Sequence, residues 1–450
     1  MKGKILVVGY GKSGIAACFL LKEKGEDPIL FDSDESKDKE SVREKLKPHD
    51  DITLITGSVP KDIEDSVEML VLSPGVPLDS DIALHYKNKG IKLSGEIELA
   101  YSYEKGSLLA VTGTNGKTTT TSLLGKIMQD YNHNSFIVGN IGNPYTSEVL
   151  KTNDTSVTVA EISSFQLETI DKFKPKVSSI LNITPDHLNR HHTMENYIRE
   201  KEKITINQDM NDHCILNYDD PILRDFGEAV KKKVRVHYFS SREELSEGYF
   251  YKDEYIYKAL AGKKEKLLHK DELKIIGVHN MENAMAAIAM ADAFLVPMEN
   301  ILDSVRSFTA VAHRIEFIKE VDGVRYYNDS KGTNVDAAIK GIEAMDRKTC
   351  LIGGGYDKGA EYDEWIDAFG GKVKKLVLIG QTREKIAECA RRKGFTDIEF
   401  ADSLEEAVEI CRKNSVKGEA VLLSPACASW GMFDNYEQRG DMFREIVNSL

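Results

Sequence analysis

The run Leu108-Leu109-Ala110-Val111 leads directly into Thr112-Gly113-Thr114-Asn115-Gly116-Lys117-Thr118-Thr119, after which a helical pattern begins. A glycine-bearing loop between a strand and a helix limits the fold strongly. Its backbone N–H groups converge where phosphate oxygens can sit, at the positive end of the helix. Lys117 can reach the β/γ-phosphates of a nucleoside triphosphate, and the Thr118 hydroxyl can hold Mg²⁺. The loop departs from the strict G-x-x-x-x-G-K-[ST] pattern because Val111 occupies the first glycine position. A plain glycine turn is the competing reading.

Short β-branched runs alternate with helical patterns almost throughout, at 5–8, 28–31, 52–55, 69–72 and 91–93, then 108–111, 135–138, 156–160 and 176–182, and again at 349–352, 376–379 and 420–423. Such alternation marks parallel sheets covered by helices, so the expected class is α/β. Helices are expected at 13–24, closed by Gly25 at C′, and at 194–207, 280–295, 384–393 and 404–413. Runs at 234–239 and 249–257 suggest added antiparallel strands, and Asp322-Gly323 centres a type I′ hairpin. At roughly 150 residues per domain, the length suggests about three domains. The polar stretch 103–107 and the change after Ser307-Phe308-Thr309 place them at 1–106, 107–309 and 310–450.

Of the 450 residues, 41% are hydrophobic and 30% charged, enough apolar surface for several cores, which excludes a disordered or collagenous chain. The net charge of −13 argues against nucleic acid or an anionic membrane as partner, since both favour basic surfaces. Six widely spaced cysteines without a CxxC pair indicate free thiols rather than a disulfide scaffold. The apolar run at 5–8 is too short for a signal segment, and nothing approaches the ~18 apolar residues of a membrane span. A cytoplasmic location is expected.

Gly9-Tyr10-Gly11-Lys12-Ser13-Gly14 is a GxGxxG after a strand, and Asp32 ends the next strand. This pattern fits NAD, another diphosphate-bearing ligand, or close packing alone. Glu161 ends the run beside the phosphate loop and is a natural Mg²⁺ contact, with Ser163-Ser164-Phe165-Gln166 following. His187, in Thr184-Pro185-Asp186-His187, reads as a structural histidine in isolation and as a site residue by its place at a strand end. Lys201 lies in a mixed charge run whose ordinary reading is a solvated helix face. Asn280 and Asn283 share a helix face and could cap the helix or touch a nucleotide. Polar, glycine-bearing loops at 328–334, 353–359 and 424–429 follow strands, where open α/β sheets place ligand groups.

In combination, Gly113-Thr114-Asn115-Gly116-Lys117-Thr118-Thr119, Glu161-Ile162-Ser163-Ser164-Phe165-Gln166-Leu167, Asp186-His187-Leu188, His279-Asn280-Met281-Glu282-Asn283 and Asn328-Asp329-Ser330-Lys331-Gly332-Thr333-Asn334 resemble the motifs of the Mur ligase family across the whole chain. The Ser-Ser-Phe-Gln, Asp-Ser-Lys and Ser424-Pro425-Ala426-Cys427-Ala428-Ser429 signatures resemble its D-glutamate-adding members. The resemblance implies three domains: an N-terminal Rossmann-like domain for the UDP part of the substrate, a central P-loop ATPase domain, and a C-terminal Rossmann-like domain that brings the amino acid. It implies an ATP-dependent amide ligase joining D-glutamate to UDP-N-acetylmuramoyl-L-alanine through an acyl phosphate, in cytoplasmic peptidoglycan precursor synthesis. ATP, two Mg²⁺ ions and a monomeric chain go with that expectation.

Residue roles follow from the same resemblance. Ser13, Asp32 and Gly75 match UDP-side positions, and Asn140 and Ser163 match other substrate contacts. The loop Gly113 to Thr119, with Asn283, Arg314 and Asp329, matches the ATP site. Thr118 and Glu161 match one metal site and His187 the other, while Lys201 aligns with a carbamylated lysine that becomes an anionic metal ligand. Lys117, His187 and Lys201 are thus the expected catalytic groups. Lys331, Thr333, Lys358, Ser429 and Tyr436 match positions around D-glutamate. Gly332 stands where alanine is common and is expected to loosen its loop, and Tyr436 stands where phenylalanine occurs. An NAD(P) oxidoreductase would leave 108–450 unexplained, and a nucleotide switch would leave the three C-terminal loops unexplained.

Overall fold

The apolar runs assemble into three sheets in a computed structural model that describes residues 3–309 and 311–450. Each sheet carries helices and belongs to one of three α/β domains. The chain forms two compact units. The first holds residues up to His269 with Glu282–Val305, and the second Lys270–Met281 with Arg306–Leu450. Ala310, where the third section was expected to begin, lies outside the described residues.

The first sheet runs Thr53–Thr56, Pro28–Asp32, Lys4–Val8, Val67–Leu72, Lys92–Gly95, all parallel. Ile5, Val7, Leu30 and Val71 face one apolar layer, with Ala17, Leu20 and Leu21 of the helix Lys12–Glu23. Leu6, Val8, Ile29, Phe31, Leu70 and Leu72 face the other, with Ala83 and Tyr86. Burial on both faces explains why these strands read as unbroken apolar runs. The helix Lys12–Glu23 stops in a Schellman motif, in which Gly25 N donates to Lys22 O (2.8 Å) and Glu26 N to Leu21 O (2.9 Å), with Gly25 at φ +73°.

The second sheet has nine strands, with Ser107–Thr112 between Val157–Glu161 and Val177–Ile180. The strand Arg235–Ser240 pairs in parallel with His213–Asn217, which corrects the antiparallel arrangement expected at 234–239. Its cause is the crossover helix Pro221–Val230, started by the Asp220 side chain capping Ile222 N and Leu223 N. The run 249–257 is two strands, Gly248–Lys252 and Tyr255–Leu260, turned at Asp253 and Glu254 with φ of 48° and 67°. Among the described residues only these strands and Lys263–His269 pair antiparallel in this sheet. The helix expected at 194–207 ends at Glu202 and tightens into a 3₁₀ turn, Lys203–Thr205.

The third sheet runs Glu316–Val321, Val324–Asn328, Ala420–Leu423, Thr349–Gly353, Val373–Leu378, Ile398–Phe400. Its first pair is the expected hairpin, with Asp322 and Gly323 at φ 53° and 79°. The other pairings are parallel, so the loops after Asn328, Leu423 and Gly353 leave three adjacent strands at one edge. All six cysteines are free and buried. Among the described residues no helix is long and apolar enough to cross a membrane.

Candidate active site

The phosphate loop is shaped by two left-handed glycines. Gly113 has φ +149°, and a Cβ there would meet Leu181. Gly116, at φ +83°, precedes the helix Lys117–Tyr131, and a Cβ on it would fall 2.2 Å from Asn283 Oδ1. Asn182 clamps the loop from the neighbouring strand's end, accepting from Asn115 N (2.8 Å) and donating to Asn115 O (3.1 Å). Thr114 Oγ1 accepts from Thr184 N (3.0 Å) and shares a hydrogen bond with Tyr197 OH (3.0 Å).

Two lysines meet inside this loop. Lys117 Nζ donates to Gly113 O (2.9 Å) and Thr114 O (2.8 Å), and Lys201 Nζ donates to Gly113 O (2.7 Å). Lys201, on the helix Met194–Glu202, is 1% exposed, and its ammonium stands 4.7 Å from the Tyr197 ring centroid. The solvated-face reading of this helix is therefore wrong at Lys201. Burial and the nearby Lys117 charge push its pKa well below the ordinary lysine value, with Asp186 opposing.

Glu161 ends its strand beside Val111 and is 1% exposed. Its Oε1 accepts from Asn140 Nδ2 (2.7 Å), while its buried Oε2 has no hydrogen-bond partner. A buried carboxylate oxygen without a donor is costly, and a cation relieves that cost. Thr118, also buried, is the second residue of the helix that follows the same loop. Among the described residues no three His, Cys, Asp or Glu side chains form a metal cluster. The donor set fits Mg²⁺ held by one carboxylate, a hydroxyl and nucleotide phosphates, the usual Mg²⁺ arrangement, rather than an all-protein cage.

The remaining predicted residues divide by location. His187 lies at φ 53° on an exposed turn, with Nε2 3.4 Å from Asp186 Oδ2 and its ring 4.8 Å from Phe165. Ser163 Oγ is engaged in a capping box with Gln166. Asn283 is buried and accepts from Thr120 Oγ1 (3.3 Å). In the first sheet, Asp32 accepts from Tyr10 N (3.1 Å) and Asp34 N (3.0 Å), so it braces the glycine loop. A Cβ on Gly14 would strike Gly9 O at 2.0 Å, so that glycine serves close packing of helix on strand. Gly75 lies in the turn after Val67–Leu72, whose Ser73 N donates to Val8 O (3.0 Å), bringing that turn beside the glycine loop of Ser13. A cavity of about 730 Å³ is lined by Phe31 and Ser33, the chain neighbours of Asp32, with Ser58, Asp79, Asp81 and Tyr86 among others.

In the second unit, Asp329 is buried, accepting from Ser424 Oγ (2.7 Å) and Ile315 N (3.3 Å). Burial raises its pKa to about 7, against the Ser424 hydrogen bond and the Arg314 charge. Ser330 Oγ donates to Tyr436 O (2.8 Å), and Thr333 N to Lys331 O (2.9 Å). Ser429 is buried one residue beyond Ala428, whose carbonyl accepts from Tyr356 N (2.9 Å), two residues before Lys358. Lys331, Lys358 and Ser429 thus sit on loops that share one sheet edge, and Tyr436 opens the helix Tyr436–Ser449 that follows the third of them. Gly332 does not loosen its loop: a Cβ there would come 2.7 Å from Asp329 Oδ2, so the glycine permits tight packing.

Several residues were missed. Tyr197 precedes Lys201 by one helical turn, and that spacing was the available signal. Arg190 pairs with Glu168 (2.6 Å) and donates to Val76 O (3.1 Å), while buried His191 meets Ser164 Oγ (2.9 Å). Fully buried Arg439 donates to Ser330 Oγ (2.9 Å), Ser330 O (2.7 Å) and Cys427 O (3.3 Å), tying two loops together with no sequence signal.

Residues 3–95 match the Mur ligase MurD-like N-terminal domain, 111–291 the Mur ligase middle domain, and 313–427 the Mur ligase glutamate ligase domain. A UDP-N-acetylmuramoylalanine--D-glutamate ligase from Lachnospira eligens is 54% identical over 446 residues, 99% of this chain and 98% of that one. The protein of that description from Clostridioides difficile is 45% identical, over 100% of this chain and 99% of its own. The fold is shared with the crystal structure of UDP-N-acetylmuramate-alanine ligase MurC from Thermotoga maritima, at TM-score 0.62 and 18% identity over 99% of each chain. It is also shared with Thermotoga maritima MurF ligase in complex with ADP, at TM-score 0.56 and 18% identity over 86% of this chain and 91% of that one. Identity of this extent with full-length relatives, together with the three matched domains, places the chain in the Mur ligase family.

Proposed function

We infer that the chain is an ATP-dependent ligase that forms the amide between UDP-N-acetylmuramoyl-L-alanine and D-glutamate, a step of peptidoglycan precursor synthesis. The observation that carries the reading is the unsatisfied Oε2 of buried Glu161 beside a phosphate loop that already gathers Lys117 and Lys201. Near-full-length identity to the D-glutamate ligases supports the choice of substrates.

A carboxylate is a poor electrophile, so the γ-phosphoryl group of ATP passes first to the alanine carboxylate, giving an acyl phosphate and ADP. The D-glutamate amine then attacks the carbonyl carbon, and phosphate leaves with one former carboxylate oxygen. Both steps concentrate negative charge, which fixed cations stabilise without reorganisation. Lys117 would leave its loop carbonyls for the phosphates, and the loop amides would orient them. Thr118 and Glu161 would hold Mg²⁺, which supplies Lewis-acid charge neutralisation when bound. His187 is the candidate for a second ion, completed by Lys201 as its carbamate. A depressed amine pKa favours that modification, because CO₂ condenses with the neutral amine and releases one proton.

Asn283, Arg314 and Asp329 are assigned to the nucleotide, and Asn140 and Ser163 to the muramoyl substrate. Ser13, Asp32 and Gly75 are assigned to UDP. The cavity lined by Phe31 and Ser33, the chain neighbours of Asp32, suits the nucleoside. Lys331, Thr333, Lys358, Ser429 and Tyr436 are assigned to D-glutamate, where ammonium groups supply charge and hydroxyls direction. In this reading residues 1–106, 107–309 and 310–450 divide the tasks of UDP binding, phosphoryl transfer and amino-acid delivery in a cytoplasmic monomer. The test is phosphate release from ATP with UDP-N-acetylmuramoyl-L-alanine, with and without D-glutamate. Release that requires D-glutamate and ignores L-glutamate supports the assignment; release indifferent to the amino acid contradicts it.

A further inference from the structure

Each lysine of the loops at the third sheet's edge lies over an aromatic ring. Lys358 Nζ is 4.4 Å from the Trp430 ring centroid, and Lys331 Nζ is 5.2 Å from that of Tyr436. Trp430 follows Ser429 directly, and its ring meets Tyr356 edge-on with centroids 5.6 Å apart. The hydrogen bond from Tyr356 N to Ala428 O holds the two loops side by side. Trp430 is 52% exposed and Tyr356 40%, whereas the other tryptophan, Trp365, is fully buried.

The charge around Lys358 has a particular character. Among the described residues no carboxylate lies within 4 Å of its ammonium. The adjacent Asp357 carboxylate instead accepts from Gly359 N (2.7 Å). A carboxylate partner would neutralise the ammonium and compete with an acidic ligand. An indole face attracts it through the ring quadrupole and leaves N–H donors available. The loop needs such an anchor, because Gly354, Gly355 and Gly359 all adopt positive φ and Lys358 itself is exposed.

We propose that Trp430 is a positioning residue of the amino-acid site, its indole face holding Lys358 so that the ammonium is presented to a carboxylate of the incoming D-glutamate. The proposal rests on the assignment of Lys358 to D-glutamate made above. Lys331 over Tyr436 repeats the device at the second lysine. Trp430 then contributes to amino-acid affinity without taking part in phosphoryl transfer.

Steady-state kinetics of the full chain, with ATP and UDP-N-acetylmuramoyl-L-alanine saturating, test this. Trp430→Leu, which keeps apolar bulk but lacks a π face, is expected to raise KM for D-glutamate about three- to tenfold while kcat stays within about twofold. KM for ATP should not move, and Trp430→Phe, which retains a ring face, should recover most of the affinity. Intrinsic emission gives an independent readout, since D-glutamate should perturb Trp430 in the wild type and leave Trp430→Phe, with only buried Trp365, silent. An unchanged KM for D-glutamate in Trp430→Leu, or a loss confined to kcat, overturns the proposal. A wild-type enzyme whose turnover ignores D-glutamate overturns the ligase reading itself.

Discussion

Lys117 and Lys201 donate to one acceptor: their ammonium nitrogens lie 2.9 and 2.7 Å from the carbonyl oxygen of Gly113. Two like charges gathered on one carbonyl in a buried loop are an unfavourable arrangement that a polyanion would relieve. They differ in surroundings, since Lys201 is almost wholly buried against the Tyr197 ring and its pKa is pushed well down, with Lys117 contributing. Lys117 suits a phosphate-binding role, whereas the lowered proton affinity of Lys201 favours its reaction with CO₂.

Replacing Lys201 separates those roles. Lys201→Ala is expected to lower kcat about a hundredfold or more, the scale of losing one well-placed charged group. Formate or acetate should restore part of the rate by occupying the place of the missing carbamate. Bicarbonate should raise the melting temperature of the wild type and leave Lys201→Met unmoved. Rate measurements with no rescue by either acid would count against carbamylation.

Glu161→Gln keeps the acceptor used by Asn140 and exchanges the orphaned Oε2 for an amide N–H group. Folding should be preserved or slightly improved, because an unsatisfied buried charge is removed. Turnover should fall at least about a hundredfold, since a cation held there is worth several kcal/mol in the transition state. Thermal scans with ATP and Mg²⁺ provide the second check: the stabilisation that Mg²⁺ adds to nucleotide binding should disappear. A variant that still responds to Mg²⁺ would remove Glu161 from the metal site.

Asp329 makes a pH prediction with a definite sign. Burial raises its pKa from 3.8 to about 7. Between those values the native chain retains a proton that the unfolded chain has lost, so stability falls as pH rises through the window. Asp329→Asn lacks that loss. Its melting temperature should exceed the wild type's, the stability margin growing by about 1.4 kcal/mol per pH unit from pH 5 and levelling off above about pH 7. A margin independent of pH would contradict the buried-acid assignment.

Periodicity and turn chemistry made most of the scaffold legible. The helix Leu404–Lys413 and the strand Ala420–Leu423 coincide with their expected ranges, and Gly25 closes its helix as expected, because the local signals agree with tertiary burial. Strand direction was not legible at 234–239, where it depends on the crossover helix Pro221–Val230. Within the candidate site, the places of Lys117 and Thr118 at a helix start and of Glu161 at a strand end were legible from local pattern. Lys201 did not, since its charge run looks solvated and only the packing of its helix on the phosphate loop buries it. The role of Gly332 was inverted for a similar reason: a Cβ there collides with Asp329 Oδ2, a contact visible only in three dimensions. Arg439 carries no pattern at all, because its partners are two backbone carbonyls and a serine hydroxyl drawn from distant loops.

Activation of the alanine carboxylate by phosphorylation leaves a trace in oxygen transfer. UDP-N-acetylmuramoyl-L-alanine labelled with oxygen-18 in that carboxylate is turned over with ATP and D-glutamate, and the released phosphate is analysed by mass spectrometry. The mechanism predicts one labelled oxygen in each phosphate, carried from the carboxylate through the acyl phosphate. Phosphate released without label, while the amide product accumulates, would contradict it.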